Sequence, residues 1–497
     1  MHLDFLITPK ELTKALLTTY NDVANIKIVY GGQTEFIEMP IVDCSINSDE
    51  GLFSIDVACD ELSMAFYRGE IQARALLSLS DGNNDCLSDF ITIIPKYTSK
   101  RAMCRVEYST TDNQKIVSQY MPPIQSHTYQ DGRGEIIFSQ PLVALPDHCF
   151  AGCGNLLTMK LPEGLEVIGP CALAWCPSLH IIELPESVNR IENEAFYDCS
   201  SLSNLILPDN IRYIGSLAFS HCSSLKNIKV PKNLIEIGEN PFCCCFNLSE
   251  FQGTNISHDG RCLIINGELC SFAPAGLFSY KIISDIKVIG ARCFEQCADI
   301  ESIVLPEGIS HIETNAFGNC SSLKDINFPD SLKSIGECAF TECESLASIK
   351  LHNQIEYIGP FAFQCCYSIQ EVIIPEALNS LEYGVFANCV ALSNVHIHEN
   401  VKSIGEGAFS NCSSLSSITI PQNVTSIGYS AFGNCPLHCV YCKPLTPPTA
   451  DGDIFEYYTP IIYVPYESLD NYRVAAKWRK YSDCFIGYDF ENDKVVE

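Results

Sequence analysis

Beyond residue 146 the apolar positions follow neither a two-residue nor a helical rhythm; they recur every 23 residues. Each cycle carries a cysteine. The first series is Cys153, Cys176, Cys199, Cys222 and Cys245; the second is Cys297, Cys320, Cys343, Cys366, Cys389, Cys412 and Cys435. The 52 residues between the two series equal one regular cycle of 23 and one of 29. Three residues before the cysteine stands Phe in eleven of twelve copies, with Leu173 the exception. Three residues after it stands Leu or Ile, as in Leu156, Leu323 and Ile369. Two more apolar residues follow at the sixth and eighth places, as in Ile418 and Ile420, usually with proline next, as in Pro421. Then come an aliphatic residue, an isoleucine and often glycine, as in Val424, Ile427 and Gly428.

Each position predicts an element. Ile418 and Ile420 share one face of a short strand, because strand side chains alternate. Pro421 ends that strand, since it has no N–H for the ladder. Gly428 and its equivalents suit a tight bend. Ala408 to Cys412 reads as one short helical turn, with Phe409 and Cys412 on its inner side. A coil of this kind cannot shield its own apolar side chains. Stacked neighbours bury them, which makes the region a solenoid.

Residues 1–95 lack the repeat. Short alternating runs, Asn25 to Tyr30, Glu35 to Asn47, Leu52 to Ala58, Gln72 to Ser80 and Asp89 to Pro95, are separated by turn-forming stretches. They predict an all-β, sandwich-like domain, opened by a helix over Pro9 to Tyr20. Residues 96–145 read as a linker, a hairpin and a capping half-repeat at Ile136, Phe138, Leu142 and Leu145. Repeats fill 146–443, with an irregular long one at about 246–290. Residues 444–497 are expected to cap the array, whose last coil would otherwise expose its core.

Composition narrows the function. The formal net charge of −29 disfavours phosphate backbones, so nucleic acid is not an expected partner. No apolar run is long enough to span a bilayer, and membrane insertion is not expected. The first twenty residues hold Asp4, Lys10, Glu11 and Lys14 and no signal core, which places the chain by default in the cytoplasm. The 28 cysteines would suggest disulfides or a metal. Their register instead predicts a reduced, buried ladder, each thiol packing as a small hydrophobe. Cys435, Cys439 and Cys442 with His438 have metal-like spacing, but Cys435 belongs to the ladder and Cys442 to a strand position. His396 and His398 share a strand face and read as exposed polar residues. No phosphate loop, HExxH, GxSxG or paired CxxC motif occurs, so no catalytic residue, metal or cofactor is expected.

Residues 404–428 carry Ile404, Gly405, Ala408, Phe409, Cys412, Ser414, Leu415, Ile418, Ile420, Pro421, Val424, Ile427 and Gly428 in register. This unit resembles the BspA-like (Treponema-type) leucine-rich repeat. The resemblance covers about residues 130–480. The long repeat, from Ser257 to Gly290, resembles the family's hairpin insertion. The tail, with Thr446, Pro447, Pro448, Ile462 to Pro465 and Tyr472 to Trp478, resembles its C-terminal cap. In the last repeat the Leu position slips by one, to Leu437. The resemblance implies a leucine-rich-repeat solenoid of short parallel strands and a surface-displayed, non-enzymatic binding or adhesion role.

In such solenoids the strands line the concave face, and the side chains five and seven places after each cysteine point away from the core. That column supplies the candidate binding residues: Thr158, Lys160, Glu183, Asn204, Ile206, Asn227, Lys229, Asn327, Lys350, Ile373, His396 and Thr419. It varies while the buried positions repeat, as a recognition surface would; a column under no constraint would vary too. The leading expectation is an adhesin-like, monomeric scaffold binding a protein or a surface glycan. The alternative is a component of a larger assembly, such as a phage tail or baseplate, docked through residues 1–95.

Overall fold

The computed structural model describes the backbone of eight strands between residues 2 and 95, and residues 104–283 and 285–496 in full. The helix expected over Pro9 to Tyr20 lies outside the described residues. The chain divides into two compact units: Met1–Ile214 with Pro231–Ile235, and Gly215–Val230 with Glu236–Glu497.

In the first unit the N-terminal strands are all antiparallel. His2–Leu6, a strand not anticipated from the pattern, pairs with Leu52–Val57 and Ile91–Pro95. Asp22–Val29 pairs with Ile37–Met39 and Arg74–Ser80. Next come Arg105–Thr110, Ile124–Gln130 and Arg133–Phe138, a three-stranded antiparallel sheet. Ile136 and Phe138 are buried on its last strand. Arg105–Thr110 then pairs antiparallel with Leu156–Lys160, the first strand of the repeats.

From there two parallel ladders run through the coils. In the first unit the front ladder is Leu156–Lys160, Ile181–Glu183 and Asn204–Leu205. The return ladder is Ala144–Leu145, Val167–Ile168, Arg190–Ile191 and Tyr213–Ile214. The second unit repeats the plan; for instance, Ser279–Lys281, Ser302–Val304 and Asp325–Ile326 pair in front, while Ser380–Leu381, Ser403–Ile404 and Ser426–Ile427 pair behind. In the coil of Cys412, Ile404, Ala408, Phe409, Cys412, Leu415, Ile418, Ile420 and Val424 are all buried. The phenylalanines of the second unit stack: Phe294, Phe317, Phe340, Phe363, Phe386, Phe409 and Phe432 follow one another at 4.9–5.7 Å, with ring planes within 10°.

The segment predicted as a short helical turn is not helical. Each coil places the residues five and one before the cysteine in the left-handed region, as in Asn315 (φ 55°) and Asn319 (φ 60°). These reversals split the segment into two tight turns, closed by Gly318 N–H on Asn315 O and Cys320 N–H on Phe317 O. The remaining N–H groups turn outward to the next coil. Asn315, Phe317 and Asn319 donate to the carbonyls of Glu337, Ala339 and Thr341 at 2.9, 2.8 and 2.7 Å. A helix would have spent those donors within its own coil; here they join coils.

The ladder cysteines also do more than pack. Cys320 Sγ donates to Phe294 O of the preceding coil at 3.1 Å, and Phe294 O already accepts from Cys297 N–H at 3.0 Å. The same thiol-to-carbonyl bond recurs at Cys343, Cys366, Cys389, Cys412 and Cys435. Both lone pairs of a buried carbonyl are thereby used. Gly428 likewise has another reason than a bend. A Cβ there would lie 2.3 Å from Glu406 N, so glycine permits close approach of adjacent coils.

The irregular repeat inserts a hairpin, Cys262–Ile265 with Glu268–Phe272, whose second strand joins the return ladder beside Val288–Ile289. Buried Asn240 holds it, accepting from Ser271 Oγ at 2.7 Å and donating to Arg292 O at 2.7 Å. At the C-terminal end, Ile461–Pro465 and Phe485–Asp489 extend the front ladder past Cys439–Cys442. Fully buried Trp478 donates Nε1–H to Pro448 O at 2.7 Å, and Tyr472 donates its hydroxyl to Pro444 O at 2.8 Å. Trp478→Phe keeps most of the ring but strands that carbonyl. It is expected to cost about 1–3 kcal/mol, read as a lower denaturant midpoint; an unchanged midpoint would mean the bond contributes nothing.

Candidate binding face

The front ladder sorts its side chains cleanly. In the first unit Met159, Ile182 and Leu205 point into the core, and the residues between them point out. Thr158 is half-buried and its hydroxyl lies 2.6 Å from Ser109 Oγ. Exposed Lys160 pairs with Glu183 at 3.3 Å. Such a surface pair adds little to stability and leaves both groups available. Asn204 is exposed, and Ile206 is 74% exposed, a large apolar group with no core role.

In the second unit Asn227 and Lys229 flank buried Ile228, and Val304 is exposed. Asn327 is exposed, yet its carboxamide clasps the backbone of Leu305, accepting from N–H at 2.7 Å and donating to O at 2.9 Å. Its role there is to bridge adjacent coils. Lys350 is exposed but stands where residues 346–352 form no strand. Ile373 is 58% exposed beside Glu371, which accepts from Asn394 Nδ2 at 2.7 Å and faces His396 Nε2 at 3.6 Å. His398 is half-buried rather than free. Its Nε2 lies 2.6 Å from Pro375 O, and Asn400 N–H donates to its Nδ1 at 3.1 Å.

The outward column continues past Thr419 into the C-terminal strands. Thr419 pairs with Tyr441, and Tyr441 with Tyr463. Their rings stack at 5.0 Å and 15°, and Tyr488 meets both edge-on at 5.8 and 5.2 Å. Tyr488 donates to Asp493 at 2.7 Å, a bond that pushes its phenol up to about 12. Chiefly through burial, the Tyr441 phenol is raised as well. Both therefore stay neutral donors at physiological pH. The slip to Leu437 had hidden this patch; its signal was tyrosine at matched places in two successive strands.

The metal-like spacing leads elsewhere. Cys435 donates to Phe409 O at 3.0 Å, while Cys442 Sγ lies 3.4 Å from Tyr472 Oη. Among the described residues no group of three or more His, Cys, Asp and Glu is placed to hold a metal ion. Among them, too, no helix is long and apolar enough to cross a membrane.

The repeat model described as the BspA type leucine-rich repeat region matches in six copies, over residues 143–258, 287–406 and 379–463. The irregular hairpin falls in the gap. Among curated proteins none matches the chain. A solved leucine-rich repeat protein from Bacteroides ovatus is 27% identical, with 74% of this chain and 91% of that one covered and a TM-score of 0.51. Another, from Eubacterium ventriosum, is 23% identical, with 59% and 80% covered and a TM-score of 0.53; it shows the fold alone. Over more than half its length, on the repeat that builds its core, this chain belongs to the BspA-type leucine-rich repeat family.

Proposed function

We propose that the chain is a non-enzymatic recognition scaffold, displayed at a cell surface, that binds a protein or glycan on the outward face of its front ladder. One observation carries this reading: buried positions repeat from coil to coil, while the outward column changes and ends in the Tyr441, Tyr463 and Tyr488 patch. Half-exposed tyrosines give large contact area and a polar tip at little entropic cost. In the same unit as that patch, exposed Val304 and Ile373 add apolar anchors. The acidic balance of −29 leaves phosphate-rich ligands unfavoured.

The test uses the full chain on a printed glycan array and on immobilised mucosal surface proteins. Ile373→Asp and the pair Tyr441→Ala with Tyr463→Ala are compared with the parent. Loss of the bound signal, about ten-fold or more, with an unchanged melting temperature, is expected. Variants that bind as the parent does would move the site off this face.

A further inference from the structure

The turn side of the first unit carries a second exposed surface. Tyr120, His148, Trp175 and Tyr197 form a continuous run of rings, at centroid distances of 5.6, 6.4 and 6.1 Å. Three successive coils supply the last three. Trp175 N–H donates to Tyr197 O at 2.7 Å, which fixes the coils in register beneath the rings. Tyr120 and Trp175 are 51% and 42% exposed, so the run is not core.

Backbone needs do not explain the tryptophan. Trp175 sits at the left-handed place before the ladder cysteine, with φ 56°. Asparagine, which tolerates that conformation, holds the equivalent place at Asn319, Asn388, Asn411 and Asn434. A bulky exposed aromatic there works against both backbone preference and solubility.

The surroundings are acidic. Residues 146–153, 169–176 and 192–199, which form these turns, include Asp147, Glu194 and Asp198 and neither Lys nor Arg, while Glu192 is paired with Arg190 just outside them. Asp198 follows Trp175 in the same column, one coil on. Between the His148 and Glu194 positions, Cys171 donates to Glu194 Oε2 at 3.6 Å. Burial first, then Glu194 and Asp147, push the Cys171 thiol up to about 11, a sign of the negative field there.

We infer that this strip binds a basic polypeptide segment, its lysine or arginine side chains lying over the Trp175 and Tyr197 rings and against the carboxylates of Asp147, Glu194 and Asp198. Ring faces attract cations, and nearby carboxylates add to the attraction. A neutral sugar would use the rings but gain nothing from the charges. This surface is separate from the front ladder, and it stands whether or not that face binds anything.

The chain holds two tryptophans, and Trp478 is buried in the C-terminal cap, so an emission change on binding at the surface reports Trp175. The full chain is titrated with an oligolysine peptide, an oligoglutamate peptide and a neutral cello-oligosaccharide. Fluorescence locates the contact and calorimetry measures affinity. Oligolysine is expected to shift the emission saturably, with oligoglutamate silent. Trp175→Asn and Tyr197→Leu are each expected to weaken oligolysine binding about ten-fold. Neither alters net charge, so bulk attraction to an acidic protein is controlled. Trp175→Asn is also expected to melt no lower than the parent, because asparagine suits the place. Two results would overturn the inference: oligolysine binding both variants as tightly as the parent, or the oligosaccharide shifting the emission where oligolysine does not.

Discussion

Base titration under reducing conditions is expected to unfold the protein in a window that opens near pH 9, where free thiols ionise. Burial pushes the thiols of Cys153, Cys320 and Cys389 up to about 12 from the ordinary 9.0. In the unfolded chain these groups lose their protons near 9.0, while the fold keeps them. Their contribution is complete below that value and is lost as pH rises toward 12. Each such thiol removes about 1.4 kcal/mol per pH unit within the window. A thiolate could not donate to the phenylalanine carbonyl of the preceding coil either. Tyrosines ionise later in the unfolded chain, near 10, so the onset belongs to the cysteines. Circular dichroism against pH measures the transition. Replacing Cys320 and Cys389 by serine keeps a donor and removes two of the linked protons, so the transition should become shallower. The same steepness in that variant would refute the linkage.

Phe340→Ala should be the most damaging single truncation in the second unit. The ring lies between Phe317 at 5.0 Å and Phe363 at 5.3 Å and meets Phe328 edge-on at 5.6 Å. It is fully buried. Its loss opens a cavity among residues held in register by backbone bonds to the coils on either side, so collapse is limited. A cost of about 3–5 kcal/mol is expected. Because each coil contacts only its neighbours, protection against hydrogen exchange should fall first at the coils of Cys320 and Cys366. Uniform loss along the chain would show that the array melts as one block.

The buried columns were fully legible. Phe409, Cys412, Leu415, Ile418 and Ile420 were assigned inward from spacing alone, and all are buried. Strand alternation and a fixed period leave no other choice. The turn before the cysteine was misread, because Phe409 and Cys412 lie three apart as in a helix. The asparagine at Asn411 and glycine at Gly407 were the contrary signal, for both favour the left-handed conformation they adopt. The return ladder was not anticipated as a sheet. Its strands are two residues long, as in Ser426–Ile427, too short to show alternation. In the candidate column, Lys160, Ile206, Ile373 and His396 project outward, as the alternation predicts. Asn327 could not be recognised as a bridge, since nothing local distinguishes an amide that turns back on the neighbouring coil from one that faces solvent. The aromatic strip joins residues from three coils at unequal places in the repeat, so no single column displays it.

The outermost strands of two of the sheets, one in each unit, have a consequence for association. In the first unit Ile124–Gln130 is the outermost strand of its sheet, with no buried residue. In the second unit Lys494–Val495, two exposed residues, one of them lysine, is the outermost strand of the C-terminal sheet. Edge strands recruit other chains when they are long, flat and greasy. These are short or polar, and each lies antiparallel to its neighbour. Neither edge therefore offers a second copy of the chain a ready template for strand pairing, and association through these two edges is disfavoured.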